Sequence, residues 1–211
     1  MKEIKQALDT MTQGMQSQVP VETMNAFGNS IMDLHTKSFG TTSEVGMMFP
    51  SVEVVTESNQ QIPIVDLFKG KKTLVSFVRG NWCPFCNIEM AHLMSYYPML
   101  QDKGVEVIVV SPMNIELLKD WKSENKMSFP IVQDKNLVLG KALDIKFELQ
   151  DFVQPHYEML GIDLKHLNQT EKTELNIPAV YIIDDEGRIS FRYMDVNYGN
   201  RLELKEVINV L

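Results

Sequence analysis

Two cysteines, Cys83 and Cys86, stand two residues apart in Trp82-Cys83-Pro84-Phe85-Cys86, and the chain has no others. Pairing them closes a very short loop, which gains little stability from chain entropy, so the spacing suits reversible thiol–disulfide chemistry better than stapling. If Cys83 caps a helix and Pro84 takes the first helical position, the proline loses no needed hydrogen bond and Cys86 follows one turn on. A sulfur at a helix N-terminus meets free backbone N–H groups and the positive end of the helix dipole, and both favour the thiolate. As the cap, Cys83 is expected to be the more exposed sulfur.

Three readings compete for the pair: redox use, two inert structural thiols, and half of a metal site. Structural zinc takes four protein ligands, and His35, His92, His156 and His166 show no ligand spacing to the pair, so no metal or cofactor is expected. Trp82 either packs beside the motif and limits solvent access or touches substrate. Arg79 lowers a thiol pKa or steadies a leaving oxygen if its side chain turns back toward Cys86; the plain alternative is a solvated arginine at a strand end.

The motif follows an apolar run, Leu74 to Val78, that reads as an interior strand, and it opens a helix over 86–97 with Pro98 as a kink or boundary. A second strand over 105–110, an amphipathic helix carrying Ile115, Leu118 and Trp121, and a short strand near 129–133 continue the alternation. Residues 137–175 read as an irregular insertion with helices. Strands at 179–183 and 189–194 join through Asp184-Asp185-Glu186-Gly187, and a helix over 202–211 closes the chain. Ahead of all this, residues 3–12 and the stripe Val21, Met24, Phe27, Ile31 and Leu34 form helices broken at Gly14 and Pro20. The expected architecture is α/β, a mixed central sheet flanked by helices, with an N-terminal helical extension at 1–47 and one domain at 48–211. The extension carries no chemical motif; it packs on the core or on a second copy of the chain in a homodimer.

A formal charge of −8 argues against a field that attracts nucleic acid, and a 44% hydrophobic share indicates a folded chain. No export signal or membrane-length apolar run is evident, so a cytoplasmic protein that engages no membrane is expected.

From about Met48 onward the chain resembles the alkyl hydroperoxide reductase and thiol-specific antioxidant family, particularly its peroxiredoxin-like CxxC members. The resemblance rests on Phe49-Pro50-Ser51-Val52, on Phe77 through Glu89 across the cysteine motif, on Val109-Val110-Ser111-Pro112, and on Ile177-Pro178 leading into Ala179 to Asp184. It implies a thioredoxin-like fold and a cis bond before Pro178, placed near the cysteines; the residues alone favour trans. Matching Glu89 to the family's glutamate makes Cys86 resemble the peroxide-attacking cysteine and puts Cys83 where the family has threonine. The family's arginine before the late strand has no counterpart beside Pro178.

The expected activity is thiol-dependent reduction of a hydroperoxide: Cys86 attacks, Cys83 resolves the sulfenic acid, and a thioredoxin-like dithiol protein reduces the disulfide. Arg79, Trp82 and Pro178 complete the candidate site. The alternatives are a protein-disulfide reductase and, in another class, a redox-regulated interaction protein.

Overall fold

The computed structural model describes residues 3–208. They form a mixed seven-stranded sheet with helices on both faces, as the alternating pattern predicts. Its centre is β3 (Thr73–Phe77), flanked by β4 (Glu106–Ser111) and by β8 (Ala179–Ile183). β3 and β8 are buried along their whole length, the signature of strands covered on both faces. Beyond β4 lie β5 (Ile131–Gln133), β1 (Glu53–Val55) and β2 (Gln61–Pro63), and beyond β8 lies β9 (Ile189–Met194). β3, β4 and β5 run parallel, whereas β8 runs antiparallel to β3.

Register fixes where the motif emerges. Phe77 pairs with Val110 and with Ala179, so the ends of β3 and β4 and the start of β8 meet at one edge of the sheet. The chain leaves β3 there and enters α3 (Pro84–Asp102), which packs on the face lined by Leu74, Val107, Val109 and Ile182 together with α4 (Ile115–Asn125) and α8 (Leu204–Ile208). The opposite face holds Val75, Phe77, Ile108 and Tyr181 against Phe49 and Ile64.

The extension consists of α1 (Ile4–Gln18) and α2 (Val21–His35). Gly14 does not interrupt α1; the helix ends only before Pro20, which has no N–H to continue it. Ile4 and Leu8 join the core beside α3, while Ala26 and Phe27 of α2 pack on Val153, Tyr157, Leu164 and Leu175 of the insertion. Nor does Pro98 end α3. It is exposed, so water can satisfy the carbonyl it leaves free, while buried Tyr96 and Leu100 anchor the helix on either side. The insertion contains α5 (Val138–Ala142), α6 (Gln154–Met159) and α7 (Leu164–Asn168). Across α6 and α7, β6 (Lys146–Glu148) pairs antiparallel with β7 (Glu174–Asn176), and three-residue strands are too short to show alternation.

The insertion is pinned to the sheet by buried Asp134, which accepts the backbone N–H groups of Leu139 at 2.9 Å and Gly140 at 2.8 Å. Gly140 sits so close to β7 that a Cβ there would lie 1.9 Å from Asn176 Oδ1. Gly140→Ala is therefore expected to cost about 1–3 kcal/mol, as overpacking of a tight interior does. Urea unfolding reads this as a lower midpoint; an unchanged midpoint would show that the contact relaxes freely.

Candidate active site

The strand-to-helix turn is shaped by three residues. Gly80 has φ +149°, and a Cβ there would fall 2.6 Å from Trp82 Nε1, so the absence of a side chain lets the indole fold over the loop. Cys83 is the N-cap of α3, with extended backbone, and Pro84 occupies the first helical position, as the spacing predicts. Asn87 then braces the turn: its Nδ2 donates to the Asn81 carbonyl at 2.7 Å, and its Oδ1 accepts from Trp121 Nε1 at 2.8 Å.

Both cysteines are free thiols and both are buried, Cys83 at 1% and Cys86 at 0% exposure. The expectation of an exposed Cys83 is corrected here: Trp82, Phe85 and the helical extension cover the helix end. What separates the sulfurs is access to space. Cys83 lines a cavity of about 350 Å³ whose walls include Met15, Phe27, Arg79, Trp82, Tyr157 and Tyr198. Cys86 does not line it; the Arg79 backbone N–H donates to its Sγ at 3.4 Å and the Arg201 guanidinium reaches it at 3.5 Å.

Arg79 turns inward and is 3% exposed, so it is not the solvated strand-end residue of the plain reading. Its guanidinium lies 4.2 Å from the centre of the Tyr198 ring and 4.7 Å from that of Trp82, and it hydrogen-bonds the Tyr157 hydroxyl. Among the described residues no carboxylate pairs with it. Arg201, by contrast, pairs through Nε with Glu89 Oε2 at 2.6 Å, and Glu89 Oε1 accepts the Ser76 hydroxyl at 2.7 Å.

These charges divide the two thiols. Burial pushes the Cys83 pKa upward, but the Cys86 thiol hydrogen bond and the Arg79 and Arg201 charges outweigh it and hold Cys83 at about 5. Burial raises Cys86 well above the ordinary thiol value, and its hydrogen bond to Cys83 raises it further. Burial also lifts Glu89 to about 7 against the pull of Arg201. These opposite shifts favour ionisation of Cys83 over Cys86, with the Cys86 thiol as its hydrogen-bond partner.

The Ile177–Pro178 bond is trans, which corrects the cis expectation. Those two residues alone link Asn176 of β7 to Ala179 of β8, and the extended trans link lets Ile177 N–H reach the Ile145 carbonyl at 2.8 Å before β8 begins. Pro178 does lie at the sheet edge from which the motif emerges, since Ala179 pairs with Phe77. Sequence reasoning did not find Tyr157, Tyr198 and Arg201. The local signal for the last two was a polar turn, Asn197-Tyr198-Gly199-Asn200-Arg201, between apolar stretches; nothing local tied Tyr157 to the motif.

Residues 45–192 match the AhpC/TSA family. The chain belongs to that family. Among curated relatives, the thiol-disulfide oxidoreductase ResA of Bacillus thuringiensis subsp. konkukian is 31% identical over 93 residues, covering 44% of this chain and 53% of the relative. The sporulation thiol-disulfide oxidoreductase A of Bacillus subtilis is 29% identical over 113 residues, covering 46% and 68%. This AhpC/TSA chain spans about half the length of the ResA relatives it matches. Among solved structures, a cysteine-to-serine mutant of peroxiredoxin 6 from Arenicola marina superposes with a TM-score of 0.64 at 16% identity, covering 79% of this chain and 71% of the other. Reduced Prx3 from Vibrio vulnificus in complex with hydrogen peroxide gives 0.63 at 17%, covering 79% and 97%. These likenesses show the fold, a mixed α/β architecture of thioredoxin-like type, and in this chain that fold carries the close cysteine pair. No helix among the described residues is long and apolar enough to cross a membrane.

The ionisation of Cys83 is open to direct measurement. Iodoacetamide labelling of Cys83 in a Cys86→Ala protein tests the arginine field, and labelling of the native pair tests the whole site. In the native pair the rate should rise through pH about 5 and level off by neutrality. Arg79→Met should move that midpoint upward by about 1–3 units, the usual effect of losing a nearby opposite charge. A native midpoint in the ordinary thiol range would show that Cys83 is not the thiolate.

Proposed function

We propose that this family member reduces hydroperoxides through a Cys83/Cys86 cycle in which Cys83 attacks and Cys86 resolves. The observation that carries the reading is the placement of Cys83 at the wall of the cavity beside Arg79, a cavity that Cys86 does not line. The roles are thus the reverse of those expected from matching Glu89 to the family's glutamate. At 1% exposure Cys83 is met through the cavity, and exchange with a protein thiol or disulfide needs the cover over the motif to move.

In the first step the Cys83 thiolate attacks the terminal peroxide oxygen. An S–O bond forms, the O–O bond breaks, and water or an alcohol leaves with the peroxide's own proton, giving a sulfenate that takes up a proton from solvent to become the sulfenic acid. The Arg79 guanidinium faces the oxygen on which negative charge develops and is held by Tyr157 and the aromatic rings around it. In the second step Cys86 sulfur attacks the Cys83 sulfenic sulfur, and water leaves as the disulfide forms. Arg201 steadies the Cys86 thiolate while Glu89, which shares that guanidinium and titrates near 7, exchanges the proton. A dithiol protein of thioredoxin type then restores both thiols by exchange. Trp82 walls the cavity, and Pro178 takes no chemical step in this scheme.

Reduction of a protein disulfide is the second reading. It is favoured by the hydrogen bond from Cys86 to the Cys83 thiolate, which readies the same pair for exchange, and by the likeness to the thiol-disulfide oxidoreductase ResA.

Stopped-flow peroxide reaction with intact-mass detection separates these schemes. Cys83→Ser should lose the fast peroxide step by about a thousandfold or more, the scale of removing an activated nucleophile. Cys86→Ser should retain it and accumulate sulfenate on Cys83. Fast sulfenate formation on Cys86 in the Cys83→Ser protein would restore the opposite division. Native protein that turns over a protein disulfide and leaves peroxide untouched would favour the second reading.

A further inference from the structure

Two opposite charges border the Cys83 cavity in the dithiol form, the Arg79 guanidinium and the ionised Cys83 sulfur. Arg79 is the one basic or acidic side chain among the residues that line this space, and the remaining walls are mostly aromatic or aliphatic, with Phe27, Trp82, Leu160 and Tyr198. It is 3% exposed, and its Nε has no hydrogen-bond partner. Arg201, the cation beside Cys86, differs in having the Glu89 carboxylate at 2.6 Å.

Disulfide formation converts the Cys83 sulfur from an anion to a neutral atom, whereas the guanidinium stays protonated in both states. The cavity then carries one unopposed positive charge beside the N-terminus of the 19-residue α3, whose free N–H groups add to the positive potential there. A buried cation without a partner is costly, so anything that returns a negative charge to it is favoured. Room for such a group is present, since about 350 Å³ falls within the roughly 300–1,000 Å³ of small-molecule sites.

We propose that the disulfide form binds a small, weakly hydrated monoanion on Arg79 in this cavity, and that the dithiol form excludes it because the Cys83 thiolate already answers the same charge. A single negative charge matches the single unopposed guanidinium. Apolar walls disfavour a strongly hydrated dianion such as sulfate, because they return little of the hydration it loses. Binding to one redox state is linked reciprocally to the redox equilibrium, so the anion draws the pair toward the disulfide and makes it harder to reduce. The inference rests on the Cys83/Cys86 disulfide cycle, which both readings of the function share, and not on peroxide as the oxidant.

Calorimetric titration with nitrate, with sulfate at equal ionic strength as the reference, tests this on protein oxidised with diamide and on protein reduced with dithiothreitol, each freed of reagent. Nitrate should bind the disulfide form at least about tenfold more tightly than the dithiol form, and sulfate should bind neither. Cys83→Ser carries no thiolate and should bind nitrate without oxidation, whereas reduced Cys86→Ser keeps the thiolate and should resemble the dithiol form. In the disulfide form Arg79→Met should weaken nitrate by at least about tenfold, and Arg79→Lys, which keeps the charge, should retain part of the binding. Should Arg79→Met disturb folding, the contrast between the two serine variants decides the matter. Nitrate should also move the midpoint potential of the pair in the negative direction, by about 30 mV for each tenfold stabilisation of the disulfide form. Equal nitrate affinity in both redox states, native affinity in folded Arg79→Met, or no binding by either the disulfide form or Cys83→Ser would overturn the proposal. Redox-dependent nitrate binding in a protein that consumes no peroxide would support the site and reject only the peroxidase reading. Peroxide turnover by a protein whose disulfide form ignores nitrate would reject the site alone.

Discussion

A guanidinium buried without a carboxylate opposite it is the constraint to which the surroundings of Cys83 answer. Taking such a cation out of water costs several kcal/mol unless something returns the lost solvation. Around Arg79 that return comes from the faces of Trp82 and Tyr198, from the Tyr157 hydroxyl, and from the Cys83 sulfur once it is ionised. The dependence runs both ways, since the thiolate owes its stability in part to the same charge. Oxidation to a disulfide removes the negative partner and leaves Arg79 less well compensated, so the site favours the dithiol form. A pair poised in this way gives up its disulfide readily to an external thiol, which suits a cycle more than a permanent crosslink.

The fold supplies this charge arrangement through short-range devices at one sheet edge. Parallel β3 and β4 need a crossover helix, and that helix must begin where β3 ends; its free N–H groups therefore face the edge at which Arg79 leaves the strand. Gly80 and Pro84 set the turn between them, and Asn87 ties it to Trp121 on α4. Each device serves the next, and none depends on an unusual backbone at Pro178.

Much of this was legible from the residues. The buried strands announced themselves as continuous apolar runs, and Cys83-Pro84 marked the helix start because proline at that position costs no hydrogen bond. The antiparallel β6–β7 pair escaped notice because three-residue strands carry too little pattern and two helices separate them. Gly14 and Pro98 were read as breaks, yet packing by Ile4 and Leu8 on one helix and by Tyr96 and Leu100 on the other outweighs a local preference of that size. The sulfurs and Arg79 could be found because they share one motif. Tyr157 and Arg201 are brought to it by tertiary contacts across 78 and 115 residues, and no local spacing encodes such an approach.

That split has a physical counterpart in how the site is assembled. The family segment, 45–192, contributes both cysteines, Arg79, Glu89 and Tyr157, while Tyr198 and Arg201 follow it and Met15 and Phe27 precede it. The two flanks are joined at Glu203, whose carboxylate accepts the Ile4 backbone N–H at 3.0 Å and meets His92 of α3 at 3.1 Å. Glu203 thus links the start of α1 to the segment that carries Arg201 and to the helix that carries Cys86. Displacing α1 would disturb the cation on Cys86 as well as the roof over Cys83. In this chain the covering of one sulfur and the charge on the other are therefore parts of one connected structure, and a cysteine pair that lies within the family segment takes part of its surroundings from residues outside that segment.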